Sequence, residues 1–275
     1  MNECFGKKFI LNGKIESSEL FENSMVYEGD SIYEVIRMVR GIPVFFNDHF
    51  QRLESSVMLQ NKAMLASKKE LHRDLINITK SDRKKESNIK IVFNYLNGES
   101  NYLVYFIEAI YPSEDQYRNG VKGILFQAER KDPASKVIYH KLRSAISNRL
   151  IHEGGYEALL VNENGCITEG SRSNVFFLKD DKLFTAPDDL VLSGITRKYI
   201  LEICKIEGID VVFECIEADK ISEYEAVFMT GTSPMVLPFN MIDNIKFKVR
   251  FPLFENLRKL YLLKVEESLM NFKHE

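Results

Sequence analysis

Leu192-Ser-Gly-Ile-Thr-Arg197 and Thr230-Gly-Thr-Ser233 are two places where glycine and hydroxyl side chains gather beside the end of a regular pattern. The first opens a helical stripe and the second follows a strand. Each leaves backbone N–H groups able to face an anion, and a phosphate at a helix N-terminus gains both those amides and the helix dipole. Taken alone, Gly-Ile-Thr before a helix also reads as a simple cap. Other chemistries drop out by their missing spacings. The five histidines (His49, His72, His140, His152 and His274) form no HExxH or other metal-ligand pattern. There is no GxSxG elbow, no GxGxxG and no GxxxxGK[ST], which sets aside serine hydrolases, dinucleotide folds and Walker-type sites.

Further segments change the weighting. Ile167-Thr-Glu169-Gly-Ser-Arg-Ser173-Asn174 precedes the apolar run 175–177, and Gly194-Ile-Thr-Arg197 and Gly231-Thr-Ser-Pro follow in that order. Gly29-Asp-Ser-Ile-Tyr33-Glu-Val and His49-Phe-Gln-Arg52-Leu53 stand upstream. Together, over about residues 9–245, these resemble the fold-type IV pyridoxal-phosphate enzymes. That family comprises branched-chain aminotransferases, D-amino acid aminotransferases and aminodeoxychorismate lyases.

The resemblance implies an α+β (α/β) chain of two domains with pyridoxal 5'-phosphate in the cleft between them. It implies a lysine that bonds the cofactor and moves the substrate proton. A gap-free count back from Glu157-Ala158 places that lysine at Lys136, with Lys141 as the rival. Glu169 falls where the family partners the pyridine nitrogen. Arg52 falls where it binds phosphate, and a guanidinium fork suits a dianion. Ile195, Thr196 and Thr232 would complete the phosphate cup. Departures are also visible. Lys141 occupies the position of a tyrosine that meets the cofactor's phenolic oxygen in branched-chain aminotransferases, with Tyr139 as a substitute. Ile110 stands where D-amino acid aminotransferases carry a carboxylate-clamping arginine. Tyr33, Arg37 and Ser233 are then the candidates to line the substrate site.

These features point to transamination of an amino acid, of L configuration and apolar side chain, with a 2-oxo acid as acceptor. The rivals are a lyase releasing pyruvate from aminodeoxychorismate, a D-amino acid aminotransferase, and a degenerate cofactor-binding protein. The resemblance also implies a homodimer.

The elements that must hold these residues are legible in outline. At 275 residues the chain suggests about two domains. Strand patterns cover 9–11, 31–40, 44–46, 88–95 and 102–111, with Asn97-Gly98 as a hairpin turn. In 31–40, Tyr33, Val35, Arg37 and Val39 share one face and Ile32, Glu34, Ile36 and Met38 the other. A helix follows Asn47, and another opens at the Ser67/Glu70 capping box. Residues 1–112 are expected to form the first domain, the polar stretch 113–120 a linker, and 121–275 the cofactor-binding domain. In the latter, strands are expected near 121–128, 157–161, 166–168, 175–178, 182–185, 209–215 and 226–229. Helices are expected over about 137–153, from Gly194 to Gly208 (Ile195, Tyr199, Ile203, Ile206), and over about 252–271 (Leu253, Leu257, Leu260).

Composition excludes other classes. With 45% apolar and 28% charged residues the chain belongs with globular proteins. Lys+Arg 37 against Asp+Glu 40 leaves −3, which argues against nucleic acid or an anionic membrane as the main partner. The uncharged run 226–242 is broken by Gly231, Pro234, Pro238 and Asn240, and a membrane helix needs about 20 apolar residues. The charged N-terminal stretch has no signal-peptide core. Four scattered cysteines without a CxxC pair read as reduced and mostly buried, so a cytoplasmic setting is expected.

Overall fold

Residues Asp30–Val39 bury every second side chain, as their alternating pattern requires: Ile32, Glu34, Ile36 and Met38 are buried, and the odd-numbered residues Tyr33 to Val39 are half-buried. In the computed structural model, which describes residues 2–272, this strand lies in the first of two units. That unit runs to Ile110 and also takes in Ser135–Ile138 and the last helix from Val265 onward. The second unit comprises Tyr111–Ala134 and Tyr139–Lys264.

The first unit is an antiparallel sheet of β1 (Lys8–Leu11), β2 (Lys14–Ser17), β3 (Asp30–Val39), β4 (Ile42–Pro43), β5 (Ser87–Leu96) and β6 (Glu99–Ile107). Its spatial order is β2-β1-β6-β5-β3-β4. The short α1 (Ser24–Tyr27), α2 (Phe46–Leu59) and α3 (Lys68–Asp82) complete it. Ile32, Ile36, Phe50, Leu53, Leu71 and Phe93 meet in one core. The Ser67/Glu70 capping box opens α3, and Asn97-Gly98 turns with positive φ at both residues. Residues 44–46 are not a strand. The hairpin turns at Arg40-Gly41, both at positive φ, leaving only two residues to pair back before Phe45 enters a left-handed conformation and α2 begins.

The second unit holds a mixed sheet. Its strands are β7 (Val121–Gln127), β8 (Glu157–Val161), β9 (Cys166–Gly170), β10 (Asn174–Lys179), β11 (Lys182–Thr185), β12 (Val211–Phe213), β13 (Ile216–Glu217), β14 (Ala226–Gly231), β15 (Met235–Ile242) and β16 (Ile245–Lys246). The main path is β12-β11-β10-β14-β15-β7-β8-β9-β13, with β16 on β15. Its helices are α4 (Glu114–Asn119), α5 (His140–Glu153), α6 (Ile195–Glu207) and α7 (Pro252–Phe272), the last shared with the first unit. Among the described residues no helix is long and apolar enough to cross a membrane. All four cysteines are free, Cys4 and Cys204 buried and Cys166 and Cys215 half-buried.

Several elements differ from their sequence reading. Residues 113–120 are not plain linker: Ser113 and Gln116 form a capping box and start α4. The helix expected from 137 starts at His140, because Ser135–Ile138 is hydrogen-bonded to β3 instead. β15 was hidden by Pro238. This proline pairs with Phe228 of β14, and on the other side pairing with β7 begins only at Phe239, so its missing N–H costs that ladder nothing. Burial on α6 follows Ile195, Thr196, Ile200, Ile203 and Cys204, leaving Ile206 72% exposed. The α7 stripe is Phe254, Leu257, Tyr261, Val265 and Leu269. Leu253 and Leu260 flank it, half-buried.

Candidate functional site

In the first unit Lys136 lies on a strap along β3. The Tyr33 amide donates to the Lys136 carbonyl at 3.0 Å, the Ile138 amide to the Ser31 carbonyl at 3.0 Å, and Val137 bridges Ile32. The Lys136 amide donates to Ser56 Oγ on α2 at 3.2 Å, and Ser56 is wholly buried. The half-buried ammonium stands 4.8 Å from the centre of the Tyr33 ring, a cation–π contact. Lys141, by contrast, is exposed on α5. Of the two lysines, Lys136 has the defined seat.

Arg52 points inward from α2. Its Nε and Nη2 donate to the two carboxylate oxygens of Glu34, both at 2.7 Å, and His49 Nδ1 lies 2.8 Å from Glu34 Oε2. Burial pushes the Glu34 carboxyl up, but the Arg52 guanidinium and the His49 hydrogen bond outweigh it and hold the group at about 2. Burial pushes the His49 imidazole down, against the pull of Glu34. His49, Arg52 and Ser56 recur at helical spacing, a polar stripe on a buried face. That stripe was available in the sequence and went unread.

Arg37 sits half-buried on the same β3 face as Tyr33, opposite Asn88 of β5. The sequence reading also missed Lys90 of β5, a lysine in the apolar run Ile89–Phe93. Its side chain is 1% exposed, its Nζ meets Glu3 Oε1 at 2.7 Å and stands 5.1 Å from the Tyr33 ring centre. Glu3 Oε2 accepts from Tyr27 at 2.9 Å and Tyr105 at 3.1 Å, so this buried charge is fully partnered. Ile110 is 65% exposed and offers no charge.

The second unit gathers Glu169 with the start of α6. Glu169, buried at the end of β9, accepts the Leu192 amide on Oε2 at 3.1 Å, while its Oε1 lies 3.0 Å from Arg130 Nε. The contact with Arg130 is an ion pair without hydrogen-bond alignment. The Leu192 carbonyl accepts from Asn174 Nδ2 at 2.9 Å, so Leu192 is bracketed on both sides. Arg197 is buried on Asp188 and the Ala186 carbonyl, which fixes the first turn of α6. The serines of the 170–174 loop are held by buried Glu157, which accepts from Ser171 Oγ at 2.5 Å and Ser173 Oγ at 3.0 Å. Tyr139 meets Asp132 at 3.4 Å.

This site can take a phosphate. Helix α6 begins with buried Ile195 and Thr196 and no side-chain cap, and buried helix-start amides need an acceptor. Thr230 Oγ1 on β14 is buried without a hydrogen-bond partner. Glycine suits position 194, since a Cβ there would lie 1.9 Å from Asn174 Oδ1 and push that side chain aside. Thr196 Oγ1 meets the Tyr261 hydroxyl at 3.2 Å. Thr232 and Ser233 lie half-buried in the turn joining β14 to β15. Among the described residues no acid, histidine or cysteine cluster could hold a metal.

Residues 31–242 match the family described as amino-transferase class IV. The chain belongs to that family. Its cofactor is pyridoxal 5'-phosphate, as throughout the class IV aminotransferases. It is 26% identical over 254 residues to the D-alanine aminotransferase of Bacillus licheniformis, covering 86% of this chain and 88% of that one. It is 23% identical over 243 residues to the aminodeoxychorismate lyase of Bacillus subtilis, covering 82% of each. Among solved structures, the branched-chain aminotransferase of the thermophilic archaeon Thermoproteus uzoniensis, with norvaline, superimposes with a TM-score of 0.84. That match spans 97% of each chain at 20% identity. The class IV fold is thus present almost from end to end, while the relatives perform different reactions.

Proposed function

We propose that this class IV aminotransferase binds pyridoxal 5'-phosphate through Lys136 and transfers the amino group of an L-amino acid with an apolar side chain to a 2-oxo acid. The observation that carries the reading is the join between Glu169 and Leu192, at the start of an uncapped, buried helix. A carboxylate for a ring nitrogen and amides for a phosphate are what the two ends of this cofactor need. When bound, the cofactor supplies an electron sink for the bonds at the substrate's α-carbon.

The chain's own groups do the rest. The Lys136 amine would hold the cofactor and act as the base for the substrate's α-proton. Glu169, oriented by the Leu192 amide and Arg130, holds a proton on the pyridine nitrogen. The Ile195 and Thr196 amides, the Thr196 hydroxyl, Thr232 and Arg52 bind the phosphate. Tyr33, Arg37 and Ser233 serve the substrate, with Arg37 taking the distal carboxylate of glutamate when 2-oxoglutarate is the acceptor. Exposed, uncharged Ile110 supports the L reading over the D reading. A homodimer in a cytoplasmic setting completes the proposal.

The relative named D-alanine aminotransferase favours D-alanine as an alternative donor. The relative named aminodeoxychorismate lyase favours pyruvate release. Borohydride reduction of the purified yellow protein followed by peptide mapping is expected to place the cofactor on Lys136; an adduct on Lys141 would refute the assignment. Assays with L-leucine, L-valine, L-glutamate and D-alanine then separate the reactions. Faster turnover of D-alanine selects the D-specific reading. Pyruvate formed from aminodeoxychorismate without an acceptor selects the lyase.

A further inference from the structure

The turn that joins β14 to β15 is short and conformationally costly. Gly231 pairs with Met235, leaving Thr232, Ser233 and Pro234 as the loop, and Met235 closes it at φ 54°. A residue other than glycine in this left-handed region is uncommon, since its Cβ crowds the backbone. A turn closed by methionine needs outside support to hold one shape.

That support comes from α4. The Tyr117 hydroxyl donates to the Pro234 carbonyl at 3.0 Å. The Tyr117 ring is itself held by the Arg258 guanidinium of α7, whose Cζ lies 4.0 Å from the ring centre. The other end of α4 is tied to the strand leaving the turn: Asn240 Nδ2 donates to the Asn119 carbonyl at 2.9 Å and the Gly120 carbonyl at 3.1 Å. Gly120 permits this approach, because a Cβ on it would lie 2.8 Å from the Asn240 amide. A six-residue helix has no stability of its own in water. Here it is tied to the turn through Tyr117 and to β15 through its C-terminal end.

We propose that Tyr117, backed by Arg258, is a positioning residue that fixes the Thr232-Ser233 turn in the shape that receives the cofactor phosphate and the substrate carboxylate. This rests on the functional reading of Thr232 and Ser233 given above. Tyr117 acts through Pro234, whose position sets the direction of the preceding hydroxyls and amides. Arg258 holds the tyrosine ring from the side of a surface groove also lined by Arg118, Arg250 and Lys259.

Tyr117→Phe keeps the ring and its guanidinium contact and removes only the hydroxyl. Calorimetry on the cofactor-free protein should show the pyridoxal phosphate Kd rising about three- to tenfold, the value of one hydrogen bond. The KM for the amino donor should rise by a similar factor while kcat changes less than about twofold, with Tm almost unmoved. Arg258→Gln should give the same pattern more weakly. Thr232→Val reads the turn directly. If Thr232→Val weakens binding and Tyr117→Phe leaves Kd and KM within twofold of the parent, the brace is overturned and the turn's role stands. If neither variant moves Kd or KM, both the brace and the ligand role of the turn fall. A fall in Tm with unchanged Kd and KM reduces Tyr117 to a packing residue and also overturns the proposal.

Discussion

Arg52 combines two duties in one side chain, since the same guanidinium assigned to a phosphate closes on buried Glu34 with two of its nitrogens. Removing one partner of a buried ion pair strands the other, at a cost of about 3–5 kcal/mol. Arg52→Ala is therefore expected to lose that much stability in urea denaturation, on top of its effect on cofactor binding; Arg52→Lys, which keeps the charge, should lose less. The pH dependence has a definite sign. Glu34 titrates in the folded chain at about 2, below its ordinary value, so its contribution is complete above that ordinary value and fades as pH falls toward 2. His49 is pushed down too, so the unfolded chain takes up its proton first, below about pH 6.5. Both terms make the folded state acid-labile. A urea midpoint that stays flat from pH 7 to 3 would remove Glu34 and His49 from this role. The pairing explains what was and was not legible here. Glu169 and Arg52 fall in ordered motifs and Lys136 is reached by counting back from Glu157-Ala158, whereas Ser56 and Arg130 have no motif, and Glu34 lies inside one that does not show its pairing. Their partners come from other elements, and only the fold brings them within 3.2 Å of each other.

The start of α6 shows the same dependence among elements. Its glycine was readable as a cap, but the reason for it lies on β10, in Asn174. Gly194→Ala would drive a methyl against the Asn174 amide, which also holds the Leu192 carbonyl. The expected result is a loss of about 1–3 kcal/mol in stability and a weaker hold on phosphate. Asn174→Ala combined with Gly194→Ala should recover part of the first loss, because the clash disappears with the amide. Strict additivity of the two losses would show that Gly194 is not held against Asn174. Elements with strong local signals were read well: the capping box of α3, the Asn97-Gly98 turn and the Gly208 end of α6 all form where their residues place them. Elements decided by neighbours were not. Pro238 is tolerated because of where β7 begins to pair, and 135–138 is drawn onto β3 although its sequence leads straight into a helix.

On the scale of the molecule, the chain's last helix serves both units. Up to Lys264 it packs within the second, where Phe254 meets Phe228 at 5.6 Å. From Val265 it finishes the first: Ser268 Oγ accepts the Phe45 amide at 2.7 Å, and the Phe272 ring centre lies 4.6 Å from that of His72 and 6.0 Å from that of Phe46. Ending the chain at Lys264 should expose Phe46 and His72 and make the first unit the preferred target of limited proteolysis, with the second resistant. Equal resistance of both units would count against this. The threading also bears on how the protein is made. Synthesis delivers residues in order at about 5–20 per second. The 110 residues that begin the first unit emerge early, yet wait for the strap at 135–138 and then for the final turns of α7. That wait amounts to roughly ten to thirty seconds of translation. The unit started first is the one finished last. Through that interval the apolar side chains that the end of α7 covers, Phe46 among them, stay open to water.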